Sequence, residues 1–369
     1  MKVLLIETAA ADRPGSMHRY AELIEQALID EPACSVSRVN LAPTARELSR
    51  SPQRLRTAWH HATVLRRAMS VVRKQRADIY HLIDGSHGYV TRWLPRGRSV
   101  VTVHDVIPYL QSQRRFPVPP PSRGAQWLIH TSLRSLRSAA SIMADSTATE
   151  RDVAAIDPTL RDRLCVAPLA VPPVMMPLSG TLLPDWEARR RNVRPYLLHV
   201  GNNGFYKNRA GAIRIFDRIR ETVPCRLVMA GPPPDRSLTE LIRNSSLTDL
   251  VEFVVDPTDS TICELYREAR LLLFPSYYEG FGWPPLEAMA WGCPVVSSHN
   301  GSLAEVVGDA GLTADVDDEL ALTRHAINIL TDPICVERLV AAGHARVQDY
   351  SLATFREKLL EVYRSLATK

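Results

Sequence analysis

Lysine is scarce in this chain of 369 residues, and the scarcity says more than the net charge of +5. Of the 45 basic side chains five are lysines, so 40 are arginines. A net charge this small does not indicate binding to nucleic acid. Nucleotide bias in the source genome explains the arginine excess, and recognition of acidic groups or phosphates is the alternative. The lysines are Lys2, Lys74, Lys207, Lys358 and Lys369.

Paired cysteines and long apolar runs are also lacking. The six cysteines form no C-x-x-C pair, which predicts reduced core residues and not a metal or disulfide framework. No run approaches the roughly 18 apolar residues of a membrane-spanning helix. The stretch Met1–Glu7 is too short for a signal sequence and reads as a first strand. The sequence therefore predicts a cytoplasmic protein, at most peripheral at the inner face of the membrane.

Two common catalytic motifs are missing, G-x-S-x-G and G-x-x-x-x-G-K-[ST]. The chain has instead an alternation of apolar strand-like runs with helical periodicity, for example helices at about 17–30 and 53–76. This alternation predicts an α/β protein with parallel sheets covered by helices on both faces. The predicted strands lie at about 2–7, 35–39, 78–83, 99–104, 141–146, 164–169, 196–200, 226–230, 251–255, 270–275 and 294–298.

A break in this pattern divides the chain. Residues 168–195 are rich in proline and lack periodicity, which predicts a linker at 171–194. The predicted domains, both doubly wound and Rossmann-like, are 1–170 and 195–350. Apolar residues of 351–369 recur at helical spacing, so we expect this last helix to cross back onto the N-terminal domain.

The most informative stretch is Phe274–Gly292, in which two carboxylates, Glu279 and Glu287, are eight residues apart. Pro284 and Pro285 suit the start of a helix, and this places Glu287 in the first helical turn. A carboxylate accepts hydrogen bonds from two adjacent hydroxyls, and a helix N-terminus binds anions. Spacing alone leaves another interpretation open, in which Glu287 pairs with the helix dipole and Glu279 is a solvated loop residue.

The whole run F-P-S-Y-Y-E-G-F-G-W-P-P-L-E-A-M-A-W-G resembles the signature of the retaining glycosyltransferases of family 4, which have the GT-B fold. Val103–Pro108, Pro195–Asn202 and Gly301–Gly311 continue the resemblance, which is dense across 195–312. It implies two Rossmann-like domains whose parallel sheets face a central cleft. The C-terminal domain would bind a nucleotide diphosphate sugar and the N-terminal domain an acceptor.

The same resemblance implies roles for individual residues. Glu279 would bind hydroxyls of the donor sugar, Glu287 would hold the ribose diol, and backbone amides around Phe281 would approach the sugar or diphosphate. Lys207 would neutralise the departing diphosphate, because a fixed cation stabilises charge that develops on a leaving group. A surface lysine before a helix is the alternative. The expected donor-binding residues are Gly15, Asn202, Lys207, Arg209, Glu279, Gly280, Phe281, Gly282 and Glu287.

Two segments depart from the family pattern. An arginine usually stands just ahead of the lysine, but Tyr206 occupies that place, so that Arg209 supplies the second charge or Lys207 acts alone. The loop after the first strand is usually rich in glycine. Here only Gly15 remains, and Ser16 and His18 would narrow the site on the acceptor side.

His104 ends an apolar strand and is followed by Asp105. A histidine in this position can bond a sugar hydroxyl or a reacting oxygen, and a histidine satisfied by the backbone is the alternative. The family match of His-Asp-Val favours the functional interpretation. We therefore expect His104, Glu279 and Lys207 to be catalytic and Asp105 to lie on the acceptor side with the residues of the first loop.

The resemblance implies retaining transfer of a hexose to a hydroxyl of a glycan or polyprenyl-linked acceptor, in synthesis of cell-surface polysaccharide or glycoconjugate. GDP-mannose is the expected donor, because the segment after the second glutamate resembles mannosyltransferases. A UDP-glucose-type donor, another GT-B enzyme such as an epimerase or phosphorylase, and a non-catalytic paralogue are the alternatives.

Neither a cofactor nor a metal is expected. The one D-x-D motif, Asp315 to Asp317, is a metal motif of the other glycosyltransferase fold, but here it reads as a helix-start cap. A basic face on the helix at about 54–76, with Trp59 among apolar neighbours, suits contact with an anionic membrane. A packed helix with a solvated face is the alternative and is slightly favoured.

Overall fold

The computed structural model describes residues 1–9, 15–49, 52–178 and 195–367. The chain forms two compact units. The first consists of Met1–Ala170 and Leu352–Lys369, and the second of Val171–Ser351. Of the predicted linker at 171–194, residues 179–194 fall outside the described ranges. The preceding residues belong to the second unit, in which Trp291 Nε1 donates to the carbonyl of Met175 at 2.8 Å.

The N-terminal unit is a six-stranded parallel sheet of order β2-β1-β3-β4-β5-β6. Its strands are β1 (Lys2–Glu7), β2 (Ser35–Asn40), β3 (Ile79–Leu82), β4 (Ser99–Val103), β5 (Ser141–Ala144) and β6 (Leu164–Val166). Its helices are α1 (Ser16–Leu28), α2 (Ala45–Ser49), α3 (Arg56–Lys74), α4 (Ile107–Ser112), α5 (Arg123–Ser135) and α6 (Thr147–Ile156). The central strands are buried along their whole length, as apolar runs in a parallel sheet must be.

The C-terminal unit has a second six-stranded parallel sheet, of order β12-β11-β10-β7-β8-β9. Its strands are β7 (Tyr196–Val200), β8 (Arg226–Gly231), β9 (Val251–Val255), β10 (Leu271–Phe274), β11 (Val295–Ser298) and β12 (Leu312–Ala314). Its helices are α7 (Arg209–Arg220), α8 (Arg236–Asn244), α9 (Asp259–Glu268), α10 (Trp283–Ala290), α11 (Leu303–Val307), α12 (Glu319–Thr331) and α13 (Pro333–Asp349). The predicted parallel α/β class is confirmed for both units.

The last helix, α14 (Leu352–Ala367), packs on the N-terminal unit. Phe355, Leu359 and Tyr363 are fully buried on it, and Tyr363 shares a hydrogen bond of 2.7 Å between its hydroxyl and His81 Nδ1. Arg356 Nε donates to the carbonyl of Ala27 at the end of α1, at 2.6 Å. This contact closes the N-terminal unit with residues from the end of the chain.

Strand order reverses at one point in each sheet, and ligands of open α/β sheets bind outside the carboxyl ends of the strands there. In the C-terminal unit the reversal lies between β7 and β10, and in the N-terminal unit between β1 and β3. The loops that follow these four strands are therefore where functional side chains are expected in either unit.

Candidate active site

Lys207 and Glu279 meet at the reversal point of the C-terminal sheet. Lys207 lies in the loop after β7, and Glu279 lies in the loop after β10. The Lys207 ammonium donates to both carboxylate oxygens of Glu279, at 2.8 and 2.9 Å. Only 12% of the Lys207 side chain and 8% of the Glu279 side chain are exposed. Two residues to which the family resemblance gives different parts of a donor thus form one ion pair.

Asn208 joins the two loops that carry this pair. Its backbone is left-handed, with φ of 49°, and its Oδ1 accepts a hydrogen bond of 3.1 Å from Gly211 N, so it caps the start of α7. Its Nδ2 donates to the carbonyl of Pro275 in the other loop, at 2.9 Å. One buried amide therefore positions the lysine loop against the glutamate loop.

Aromatic rings surround the Lys207 ammonium. The nitrogen lies 5.0 Å from the ring centroid of Phe274 and 5.5 Å from that of Tyr206, within the range of a cation–π contact. Tyr206 is the residue that stands where the family pattern has an arginine. Its side chain provides a ring beside the ammonium in place of a second cation, and its hydroxyl accepts from Asn202 Nδ2 at 3.1 Å.

Arg209 is a buried cation at the start of α7. The residue is 6% exposed. Its guanidinium donates from Nη1 to the carbonyl of Pro232 at 3.1 Å and also contacts Asn203 Oδ1. Within the described residues its Nε and Nη2 have no hydrogen-bond partner. Burial lowers the pKa of Arg209, and the nearby Asp235 carboxylate opposes this shift. A cation held this way has unused donors for an anionic ligand.

The loop that carries Glu279 is held from behind by Gly301 and Ser302. Ser302, which is fully buried, contacts two carbonyls with its hydroxyl, that of Glu279 at 3.0 Å and that of Phe281 at 2.5 Å. Gly301 has φ of +64°, and a Cβ there would overlap the carbonyl oxygen of Glu279. Gly282, with φ of +108°, follows Gly280 and Phe281 and precedes α10. The loop backbone is thus fixed by residues from the next segment.

Glu287 does not lie in the first turn of its helix, so that prediction is wrong. Helix α10 begins at Trp283, with the two prolines in its first turn as expected, and Glu287 is its fifth residue. Glu287 is 2% exposed as a residue. Its Oε2 accepts a hydrogen bond from the Tyr266 hydroxyl at 2.9 Å. Pro284 and Pro285 occupy the first turn, where a backbone N–H would have no partner within the helix. Glu287 therefore falls in the second turn.

His199 was missed by sequence reasoning. It lies on β7, is fully buried, and its Nδ1 donates to the carbonyl of Leu273 at 3.0 Å. Burial, and then the charges of Arg209 and Lys207, lower its pKa to about 3, against the effect of that carbonyl. Its Nε2 has no hydrogen-bond partner among the described residues. The influence of both cations on this imidazole becomes apparent only when the strands are assembled.

His104 follows β4 in the N-terminal unit. Its Nδ1 donates to Asp145 Oδ2 at 2.5 Å and its Nε2 to the carbonyl of Ile83 at 2.7 Å. Burial opposes protonation, but the Asp145 carboxylate and this carbonyl outweigh it and raise the pKa of His104 to about 9. The doubly donating imidazolium has both nitrogens bonded within the protein. A substrate oxygen would have to replace the carbonyl, so the catalytic role stays a prediction.

Gly15, which was expected to bind the donor, and the acceptor-side residues Ser16, His18 and Asp105 are dispersed over the N-terminal unit. Gly15 and Ser16 are exposed at the start of α1, and the preceding residues 10–14 lie outside the described ranges. His18 contacts Arg38 Nη2 at 3.0 Å, and Arg38 forms a two-pronged ion pair with Glu7. Asp105 Oδ1 accepts from Ile107 N at 2.8 Å at the start of α4. Among the described residues, neither Ser16 nor His18 forms a hydrogen bond with His104.

The D-x-D motif is close to a helix start, but the capping residue was misassigned. Asp318 Oδ1 accepts from Ala321 N at 2.8 Å and caps α12, whereas Asp315 Oδ1 accepts from Asp317 N in a local turn. Four of the six cysteines are buried, which agrees with the prediction of core residues: Cys225, Cys263, Cys293 and Cys335. In the described ranges no helix is long and apolar enough to cross a membrane.

Comparison with known proteins adds to this picture. Residues 185–346 match the family model described as glycosyl transferases group 1. The chain is 29% identical over 306 residues to the O-antigen chain mannosyltransferase B of Escherichia coli, covering 82% of this chain and 78% of that protein.

Solved structures resemble the chain over its whole length. A sucrose-phosphate synthase from Thermosynechococcus elongatus gives a TM-score of 0.76 at 21% identity and covers 100% of this chain and 99% of its own. Anabaena HepE, solved in complex with UDP-glucose, gives 0.71 at 16% identity, with 99% and 100% coverage. At such identities the likeness establishes the fold alone.

Proposed function

Since this chain carries a glycosyltransferase group 1 domain and has the GT-B fold, we propose that it transfers mannose from GDP-mannose to a hydroxyl of a glycan or polyprenyl-linked acceptor. The observation that carries the proposal is the Lys207–Glu279 pair at the reversal point of the C-terminal sheet. The similarity to an O-antigen chain mannosyltransferase supports the choice of mannose. Synthesis of a cell-surface polysaccharide or glycoconjugate would use such a reaction.

The pair suits a donor that combines hydroxyls with a diphosphate. A carboxylate accepts hydrogen bonds from sugar hydroxyls, and an ammonium beside it attracts the diphosphate. As the glycosidic bond to the diphosphate breaks, negative charge grows on the leaving oxygen, and a cation already in place stabilises that charge without reorganisation. Lys207 would therefore lower the barrier, and Glu279 would orient both the sugar and the ammonium.

Retention of configuration and independence of metal are part of the proposal. No side chain near the pair is assigned as a covalent nucleophile. The expected course is attack on the same face, in which the leaving phosphate accepts the acceptor proton as the new bond forms. The buried Arg209 has unused donors, so Lys207 and Arg209 together would balance the diphosphate charge that a divalent ion would otherwise neutralise.

UDP-glucose is the second candidate donor, and the likeness to Anabaena HepE, solved with that molecule, favours it. GDP-mannose and UDP-glucose differ in the base and in the configuration of one sugar hydroxyl. The Lys207–Glu279 pair would bind sugar hydroxyls and the diphosphate, which both donors contain. The site argument therefore supports the class of donor more strongly than its identity.

The test is a thermal-shift screen of GDP, UDP, GDP-mannose and UDP-glucose against the full chain. A ligand of the native state raises Tm by mass action, so the true donor should give the largest shift at equal concentration. Transfer with that donor is then followed in EDTA, and the anomeric configuration of the product is read by NMR. Failure of all four to shift Tm, or an inverted product, would contradict the proposal.

We also propose a cytoplasmic location with peripheral contact to the inner face of the membrane, which would suit a polyprenyl-linked acceptor. Support comes from α3 and the turn before it, where Trp59 is 50% exposed and Leu55 is 57% exposed, next to basic side chains. Flotation of the protein with anionic but not neutral vesicles is the expected result.

A further inference from the structure

Three histidines gather at the reversal point of the N-terminal sheet, apart from the residues assigned above. His60 and His61 are adjacent in α3, and His87 lies in the 3-10 segment Gly85–Trp93 that follows β3. One ring nitrogen of each lies within 4.8 Å of the other two. In the part of the chain that the structure describes, this is the one group of three or more His, Cys, Asp or Glu side chains with such spacing.

The distance between two of the imidazoles matches a shared cation. His60 Nε2 and His87 Nε2 are 3.3 Å apart. Two nitrogens bound at about 2.0–2.1 Å to a tetrahedral Zn²⁺ are separated by roughly 3.4 Å. The His61 ring lies beside both, with centroids 5.2 Å from that of His60 and 5.5 Å from that of His87.

His87 is oriented as a ligand by the oxygens behind it. Its Nδ1 lies 3.1 Å from Asp84 Oδ2, 3.1 Å from Thr8 Oγ1 and 3.0 Å from Ser86 Oγ. When Nδ1–H donates to the Asp84 carboxylate, the lone pair is on Nε2, which faces His60. A carboxylate behind a histidine is the usual arrangement around metal-binding imidazoles, because it fixes the tautomer and raises the basicity of the ligand.

His61 is also held by a neighbouring side chain. His61 Nδ1 is bonded to the Tyr89 hydroxyl at 2.8 Å. With that nitrogen as the donor, its Nε2 keeps a lone pair.

We propose that His60, His61 and His87 form a binding site for a divalent transition metal, with Zn²⁺ the best match to three imidazoles. Asp84 acts as a positioning residue, and a fourth coordination place is left for water or another oxygen ligand. The bound ion would tie α3 to the segment after β3. The proposal is independent of the transfer reaction, whose residues lie elsewhere in the sequence.

The test uses tag-free, full-length protein stripped of metal with a chelator. Titration with ZnCl₂ in a calorimeter should show saturable binding of one equivalent and a rise in Tm that ends at that equivalent. Co²⁺ should give the visible absorption of a nitrogen-bound ion. His60→Gln and His87→Gln should weaken Zn²⁺ binding at least tenfold, and Asp84→Asn by roughly 10- to 100-fold.

The matched control is His130→Gln, a half-buried histidine of the same unit that packs on Tyr109. It should bind Zn²⁺ as the unchanged protein does. The proposal is overturned if no saturable binding is seen, or if His60→Gln and Asp84→Asn bind Zn²⁺ as tightly as this control. Circular dichroism of each metal-free variant shows whether it is folded, and Asp84→Asn keeps the test open should His87→Gln not fold.

Discussion

At the scale of single residues, the Lys207–Glu279 pair gives the most direct prediction. In Glu279→Gln the amide can no longer hold the ammonium or accept two hydroxyls as a carboxylate does, so we expect kcat/KM for transfer to fall by on the order of 10²-fold. Steady-state kinetics with the donor found in the thermal-shift screen measure it. Glu240→Gln, at an exposed ion pair with Arg236, should be unchanged. Kinetics of Glu279→Gln like those of the parent chain would remove its assigned role.

Substitution of Arg209 is expected to have opposite effects on the free energy of unfolding and on donor affinity. Its buried guanidinium has two nitrogens, Nε and Nη2, with no hydrogen-bond partner among the residues that the structure describes, which costs free energy in the folded state. Arg209→Met keeps the length of the side chain and removes the charge. We expect a free energy of unfolding equal to that of the parent chain or higher, with donor affinity weaker by about tenfold or more. Urea unfolding and calorimetry give the two numbers.

Arg236→Met, at a side chain that is 91% exposed, is the control for Arg209 and should change neither quantity. Loss of stability in Arg209→Met with unchanged donor affinity would mean that the guanidinium is structural, held by Pro232 and Asn203 alone.

At the scale of elements, the turn at Gly301 should control the glutamate loop. Gly301→Ala introduces a Cβ that overlaps the Glu279 carbonyl at a left-handed position, so we expect a loss of about 1–3 kcal/mol of stability and a fall in transfer activity. Gly124→Ala is the control, because its Cβ meets nothing within 4 Å and the site is helical. Equal unfolding free energies for the two variants would contradict the argument.

Elements were predicted well where they are long and apolar. Eleven strands were expected from apolar runs near their observed positions, because strands buried on both faces leave a continuous signal. The twelfth, β12 (Leu312–Ala314), was missed. It has three residues, as β6 does, but β6 runs on into the apolar stretch at 167–169 whereas Asp315 follows β12 directly. The Glu279 loop was recognised from its motif, whereas the support from Ser302 depends on two segments meeting in space.

At the scale of the whole molecule, the His104–Asp145 pair should make the free energy of unfolding fall as the pH becomes alkaline. The folded pKa of His104, about 9, is above the ordinary value of 6.5, so its contribution is complete below pH 6.5 and is lost as pH rises through 9. The loss is at most roughly 3 kcal/mol. Unfolding by urea between pH 6.5 and 9.5 should show it.

His104→Gln has no titrating ring, so its stability should change less over the same pH range. Parallel pH profiles for His104→Gln and the parent chain would show that the imidazolium contributes nothing. Asp145→Asn should flatten the profile as well, because the carboxylate is the charge that holds the proton on the ring.

The group of His60, His61 and His87 could not be predicted from the sequence. His60 and His61 are 26 or more residues from His87, and no local spacing of the kind seen in zinc motifs connects them. The start of α3, which follows β2, and the segment after β3 meet because both lie at the carboxyl edge of the parallel sheet. Motifs within one loop can be read from the chain, whereas sites assembled from separate elements cannot.

Because the Lys207 ammonium is buried in its ion pair, the rate at which it is chemically labelled can report whether a donor is bound. Acylating reagents must reach the amine, and the Lys207 side chain is only 12% exposed and ion-paired with Glu279. Lys2, Lys74 and Lys358 are exposed, so they should be labelled early and Lys207 late. With so few lysines, peptide mass spectrometry can follow each one. The labelling rate of Lys207 should then change when a donor rearranges the pair, and the other three rates should not.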